Sequence, residues 1–180
     1  MKSRHLALPR VWMLTDERQG EDLWSAIDRL PRGAGVVVRH YSMPEGEREA
    51  LFRRVQGIAR RRGLSVAFSG TDQRARRLGA DAVYGQDRRR SRLPRLYPVH
   101  SRAEIIEAER AGAALLLLSP SFGTRSHPES PALGPVRFGL LARTARTPVI
   151  ALGGMTSRRA QRLAGFGAEG WAAIDAWIRT

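Results

Sequence analysis

A chain of 180 residues with 42% hydrophobic content can bury one ample core, and no shift in composition marks a second domain. Its lack of cysteine excludes disulfides, thiolate zinc sites and cysteine nucleophiles, fits a reducing compartment, and leaves Asp, Glu or His to hold any metal. The formal charge of +14 is almost all arginine, since Lys2 is the sole lysine, and these arginines are spread through every predicted helix without base-stacking aromatics or helix-turn-helix spacing, which argues for a solvated basic surface and against nucleic acid.

The N-terminal stretch carries a three-residue apolar run, too short for a signal peptide, and no run is long enough to span a membrane. The expectation is a cytoplasmic protein with a flexible leader over residues 1–9 and a single domain over residues 10–180.

Short apolar runs then alternate with helical segments, the pattern of a parallel sheet covered by helices. The runs are 11–14, 35–39, 64–68, 82–84, 96–99, 114–118, 149–152 and 170–174; the helices are 22–30, 45–62, 73–78, 101–111, 136–146 and from 156 or 157 to 163. An arginine-rich loop at 87–95 separates the fourth and fifth strands, and Ser101-Arg102-Ala103-Glu104 reads as a capping box. The long loop 120–134, rich in Ser, Thr, Pro and Gly, is of a length that is usually functional. Eight strands in series predict a compact (β/α)8 TIM barrel whose final helix is shortened or missing; a doubly wound open sheet is the alternative. The missing cover would expose Trp171 or Trp177, which predicts a homodimer.

In such a barrel the strand C-termini carry the site, so the candidates are Asp16, Arg39, Ser69, Tyr84, His100, Ser119, Gly153-Gly154 and Asp175. The runs Val11 to Arg18, Gly79 to Tyr84, Val99-His100-Ser101, Ser119 to Thr124, Pro131 to Gly134 and Pro148 to Asp175 resemble, in collinear order, the thiamine-phosphate synthase/TenI family. The resemblance implies the same barrel. For the synthase it implies joining of a pyrimidine diphosphate to a thiazole phosphate, with Mg²⁺ and basic groups drawing off pyrophosphate.

The departures weigh against the synthase. The family's Gln-x-Arg-x-Lys reads Val37-Val38-Arg39-His40-Tyr41, keeping the arginine alone, and its Asn-Asp magnesium pair falls on Ser69-Gly70. The second magnesium carboxylate falls near Arg88 with Asp87 adjacent, and the pyrophosphate lysine falls on His127. Asp72 is the obvious replacement carboxylate, against its reading as an N-cap of the following helix.

The TenI branch, a thiazole tautomerase, moves a proton and needs no magnesium, so no cofactor is expected; Mg²⁺ enters with the synthase alternative. Its strand-five histidine matches His100, the expected catalytic residue, whose structural alternative is a histidine bonded to barrel-top backbone. His5, His40 and His127 read as surface groups. The resemblance also places a thiazole phosphate on N–H groups at Gly153 and Gly154 and after the eighth strand, where a serine is usual and Asp175 stands here. Asp175 would repel the phosphate or cap its own turn, and Thr124, Arg125 and Ser126 in the long loop are compensating donors. Arg39 would hold a second anionic group and Ser119 a further contact. The expected partner is a small thiazole phosphate-like ligand, and a non-catalytic, ligand-binding barrel is the third possibility.

Overall fold

The computed structural model describes residues 8–123 and 131–178. Eight parallel strands, β1 (Val11–Leu14), β2 (Gly35–Val38), β3 (Ser65–Ser69), β4 (Ala82–Tyr84), β5 (Arg95–Val99), β6 (Leu115–Leu118), β7 (Val149–Leu152) and β8 (Gly170–Ala173), pair in sequence order. The ring closes where Val11 meets Trp171 and Met13 meets Ala173. The TIM barrel is therefore the observed fold, and the open sheet is excluded.

The strands form where apolar residues face both ways, as a sheet covered on both sides demands. One set, including Trp12, Leu14, Val37, Ala67, Tyr84, Leu96, Leu117 and Ile150, fills the barrel interior. The alternate set, with Met13, Val36, Val38, Val66 and Phe68 on one side and Tyr97, Val99, Leu116 and Leu118 on the other, packs under the helices. The Trp12 indole is the largest interior side chain, and it needs Gly35 beside it, because a Cβ there would lie 2.3 Å from the ring. Its Nε1–H donates to the Pro9 carbonyl at 2.7 Å, and Leu8 packs on the same cluster, so the end of the expected leader is part of the barrel floor.

Among the described residues six helices cover the ring: α1 (Asp22–Asp28), α2 (Glu45–Arg62), α3 (Asp72–Arg77), α4 (Arg102–Arg110), α5 (Gly134–Ala142) and α6 (Ser157–Ala164). α5 begins and ends earlier than the pattern predicts; beyond its end the Glu109 carboxylate accepts the Arg146 and Thr147 N–H groups at 2.5 and 3.0 Å, which satisfies them outside the helix. After β8 there is a single turn, with Ile178 N–H bonded to Asp175 O at 3.1 Å. The indoles of Trp171 and Trp177 stack at 4.9 Å, so they cover each other and remove part of the exposed surface on which the expected dimer rested. No helix among the described residues is long and apolar enough to cross a membrane.

Candidate functional site

The strand C-termini form a mouth whose two halves differ in chemistry. On the β1–β4 side, Val37 points into the barrel, so Arg39, two residues on, lies above the axis. Its backbone N–H donates to Thr15 Oγ1 at 3.1 Å, its Nε to the Thr15 carbonyl at 3.1 Å and Nη2 to Asp16 Oδ2 at 3.3 Å. Asp16 in turn accepts Arg18 Nε at 2.6 Å. Burial alone would raise the Asp16 carboxyl, but the Arg18 hydrogen bonds and the charges of Arg18 and Arg39 outweigh it and hold it below its ordinary value. Ser69 is buried and donates to the Tyr41 hydroxyl at 3.2 Å, while burial pushes the Tyr84 phenol up to about 12 despite the Arg39 guanidinium beside it.

Asp16 also opens a 3-10 turn, Glu17–Gln19, as a capping box: it accepts Arg18 N–H while Gln19 Oε1 accepts the Asp16 N–H. The buried Gln19 amide then donates to Ile174 O at 2.8 Å, tying β1 to the end of β8. The spacing Asp16-x-x-Gln19 was the signal for this element, which strand-and-helix periodicity does not show.

The β6–β8 side is built from backbone. Gly153 and Gly154 have φ of +95° and +59°, a region that favours glycine. A Cβ on Gly153 would lie 2.9 Å from Pro120 Cα, and one on Gly154 would lie 2.3 Å from Gly123 O, so segment 120–123 rests directly on the turn. That segment is held by Ser121 N–H to Leu152 O (2.8 Å) and Phe122 N–H to Gly153 O (3.1 Å). Leu133 and Gly134 N–H groups close the base of the long loop on Pro120 O and Ser121 O at 2.9 and 3.1 Å. Among the described residues, the N–H groups of Gly153, Gly154, Asp175 and Ala176 donate to no backbone carbonyl. Of these residues, Gly154, Asp175 and Ala176 border a cavity of about 650 Å³ that Arg18, Met155 and Arg159 also line.

Asp175 lines this cavity and is exposed. The carboxylate expected to oppose a phosphate is thus in place, whereas the alternative, a carboxylate capping its own turn, is not observed: the turn closes through the Asp175 carbonyl. Its charge stabilises protonated Arg18, behind the larger effects of Asp16 and burial. Arg159 lies 4.9 Å over the Phe122 ring and donates to the Gly154 carbonyl. Ser119 is half-buried at the tip of β6. Thr124 and Ser126, with Arg125 and His127, lie outside the described residues.

His100 follows β5 and is 53% exposed. Its Nδ1 lies 2.9 Å from Glu104 Oε2, which also accepts the His100 N–H at 3.0 Å and Gln86 Nε2 at 3.3 Å. Ser101 caps α4 by accepting the Glu104 N–H at 3.3 Å. Glu104 is therefore more than the capping-box residue read from the sequence: its carboxylate turns back to both the backbone N–H and the ring of His100, so the imidazole faces a carboxylate instead of a backbone group. The reading of His40 as a surface group is corrected, since it is 6% exposed with Nδ1 2.9 Å from Thr15 Oγ1.

The two carboxylates available for magnesium are engaged elsewhere. Asp72 is not the N-cap of α3; Thr71 is, accepting Arg74 N–H at 3.3 Å. The Asp72 carboxylate instead accepts Arg92 and Leu93 N–H groups at 3.0 and 3.2 Å and the Ser91 hydroxyl. Asp87 faces the buried Arg95 guanidinium at 3.7 Å. Among the described residues no three His, Asp or Glu side chains are grouped to hold a metal ion. This donor set does not fit Mg²⁺, which wants near-octahedral oxygen ligands with carboxylates among them.

Residues 12–177 match the family model described as thiamine monophosphate synthase. The chain is 30% identical over 184 residues to the thiamine-phosphate synthase of Roseiflexus sp. (strain RS-1), covering 93% of this chain and 78% of that one. It is 26% identical over 194 residues to that of Chloroflexus aurantiacus (strain ATCC 29366 / DSM 635 / J-10-fl), covering 99% and 89%. The solved thiamine phosphate pyrophosphorylase from Pyrococcus furiosus superposes with a TM-score of 0.78 over 94% of this chain and 87% of that one, at 20% identity, a likeness of fold. With a continuous match over nearly the whole barrel, the chain belongs to the thiamine monophosphate synthase family.

Proposed function

We propose that this chain is a TenI-like member of the family, binding a thiazole phosphate-like ligand and moving a proton on it, and that it is not a competent synthase. The observation that carries the reading is the fate of the carboxylates: Ser69-Gly70 stands at the magnesium pair, and Asp72 and Asp87 are consumed by the 85–94 loop and Arg95. What remains suits proton transfer without a metal. The N–H groups at the Gly153-Gly154 turn and after β8, which donate to no backbone carbonyl among the described residues, suit a phosphate, Arg39 suits a carboxylate, and Ser119 at the tip of β6 is assigned a further ligand contact.

His100 is the proton carrier in this reading. With Nδ1–H donated to Glu104, its Nε2 is left to take a proton from one ligand carbon and return one to another, so the isomerisation balances without a co-reactant. The oriented histidine–carboxylate pair follows the logic of catalytic dyads.

Calorimetric titration and turnover with thiazole carboxylate phosphate test the proposal. His100→Asn should abolish tautomerisation while leaving affinity within about threefold, and Glu104→Gln should reduce turnover about 10²-fold. Unchanged turnover in His100→Asn removes the catalytic assignment. Magnesium-dependent pyrophosphate release from the pyrimidine diphosphate and thiazole phosphate would overturn the proposal in favour of a synthase. Binding without turnover would favour a non-catalytic barrel, a reading that Asp175 in the phosphate cavity supports.

A further inference from the structure

His40, one residue beyond Arg39, has no role in the proton transfer, yet its placement is costly. It sits at φ +39°, uncommon outside glycine, and is buried against the start of the 3-10 turn. It continues the outward set of positions beyond Val38, as Thr15, just past the end of β1, continues it beyond Met13, so it lies behind the mouth and Arg39 within it.

The hydrogen bonds around Thr15 fix its chemistry. Thr15 is fully buried, and its Oγ1 accepts the Arg39 N–H. The hydroxyl has one proton to donate, and among the described residues its available acceptor is His40 Nδ1 at 2.9 Å. The ring therefore carries its proton on Nε2. If Nδ1 gained a second proton, Oγ1 would have to accept from both sides and the Thr15 O–H would be orphaned in a dry site. The charges that face the ring are Glu17 and Asp16, which favour the imidazolium, and Arg39, which opposes it; burial is the largest influence and holds the group below its ordinary 6.5.

We infer that His40 is a positioning residue for Arg39: as the neutral imidazole it locks Thr15, whose hydroxyl and carbonyl hold the Arg39 backbone and guanidinium at the barrel mouth. The inference rests on the proposed function for its consequence in ligand binding; its structural content does not.

Nitrogen-15 NMR of the ligand-free protein separates the two. The His40 ring, assigned by comparison with His40→Asn, should show the Nε2–H tautomer at neutral pH, and the Arg39 N–H and Nε–H should be protected from exchange. Thr15→Val and His40→Ala should each cut that protection about tenfold or more, and their effects should not add, because they break one chain of bonds. His40→Asn, which tolerates positive φ and places an acceptor where Nδ1 stood, should restore it. In the wild type, protection should also fall as pH drops through the titration of His40, on the acid side of the ordinary imidazole range, and this acid limb should vanish in His40→Asn. An Nδ1–H tautomer, or Arg39 signals that ignore Thr15→Val and pH, overturns the inference whatever the ligand. With thiazole carboxylate phosphate as probe, His40→Ala and Thr15→Val should raise KM about tenfold and leave kcat within about twofold. Absence of wild-type turnover would count against the proposed function alone, since the NMR result on His40 stands without it.

Discussion

Replacing Gly154 by alanine tests whether the Gly-Gly turn is the rigid element on which the β6–β8 half of the mouth depends. At φ +59° an L-residue other than Gly or Asn loses about 1–2 kcal/mol. The added Cβ would meet the Gly123 carbonyl oxygen at 2.3 Å and Phe122 Cβ at 3.1 Å. Both neighbours lie in segment 120–123, pinned by hydrogen bonds to Leu152 and Gly153, so the clash cannot be relieved by a side-chain rotation. Overpacking of this kind costs about 1–3 kcal/mol. The sum, roughly 2–5 kcal/mol, corresponds to a fall in Tm of roughly 4–20 °C for a domain of this size. Thermal unfolding measures it, with Gly57→Ala as the opposite control. Gly57 lies inside α2 with nothing within 4 Å of its Cβ position, so alanine should stabilise by about 0.5–1 kcal/mol. A Gly154→Ala protein melting within about 2 °C of the wild type would refute the claim that the turn and the loop base are one packed unit.

Asp175→Ser should tighten binding of a phosphate ester at least about fivefold, because a carboxylate in the same cavity opposes a dianion by about 1 kcal/mol or more even after solvent screening; calorimetric titration reads it, and unchanged affinity would place the phosphate elsewhere. Arg95→Met should leave Tm unchanged or raise it by a few degrees, since this buried guanidinium has Nε and Nη1 without hydrogen-bond partners among the described residues and meets Asp87 at 3.7 Å, and such charges are often replaced by apolar groups at no loss; a fall of more than about 5 °C would refute that account. Asp16, Glu17 and Asp72 all sit below their ordinary carboxyl values, with hydrogen bonds outweighing burial. A depressed folded-state value adds stability that is present above the unfolded value and lost as pH falls through the folded one, so denaturant midpoints should drop below about pH 4. Asp16→Asn should flatten that acid limb.

The barrel was legible because parallel strands buried on both faces are written as unbroken apolar runs. β1, β4 and β7 fall on the predicted residues, and α2 runs from Glu45 to Arg62 as its pattern predicts. β5 starts one residue early because Arg95 is charged, and nothing local tells that this arginine is buried beneath the 85–94 loop. The rest of the site was hidden for the same reason: it is set by partners distant in sequence. His40 reads as a polar residue after a strand until Thr15, 25 positions earlier, is placed against it. Asp72 reads as a cap until Ser91 to Leu93 arrive from across β4. Glu104 reads as a capping-box residue, and its carboxylate is four residues from the histidine it holds, a spacing visible in the sequence and outweighed by the stronger capping signal.

Two carboxylates near the barrel mouth, Asp72 and Asp87, are tied to the arginine-rich 85–94 segment and the arginine that follows it. That segment replaces a helix between β4 and β5, and an irregular segment must have its backbone groups satisfied by neighbours. Asp72 supplies two N–H groups and a hydroxyl with an acceptor, Asp87 faces Arg95, and Glu107 takes Arg88 Nε and Nη2 at 3.1 and 3.0 Å. On the proposed reading, returning a single carboxylate would not supply a magnesium site. The shortest such change is Gly70→Asp, but a Cβ at residue 70 would lie 2.9 Å from Phe68 Cε1. That ring is fully buried, packs edge-on against Phe52 at 5.5 Å, and has the Arg48 and Arg74 guanidinium groups 5.1 and 5.6 Å from its centroid, so it has no free volume to yield. Gly70→Asp should therefore lower Tm by several degrees and give no magnesium-dependent shift in melting temperature. A variant that melted like the wild type and gained stability on adding Mg²⁺ would show that the synthase site lies one substitution away, and that the Asp72 and Asp87 pairings are incidental to its loss.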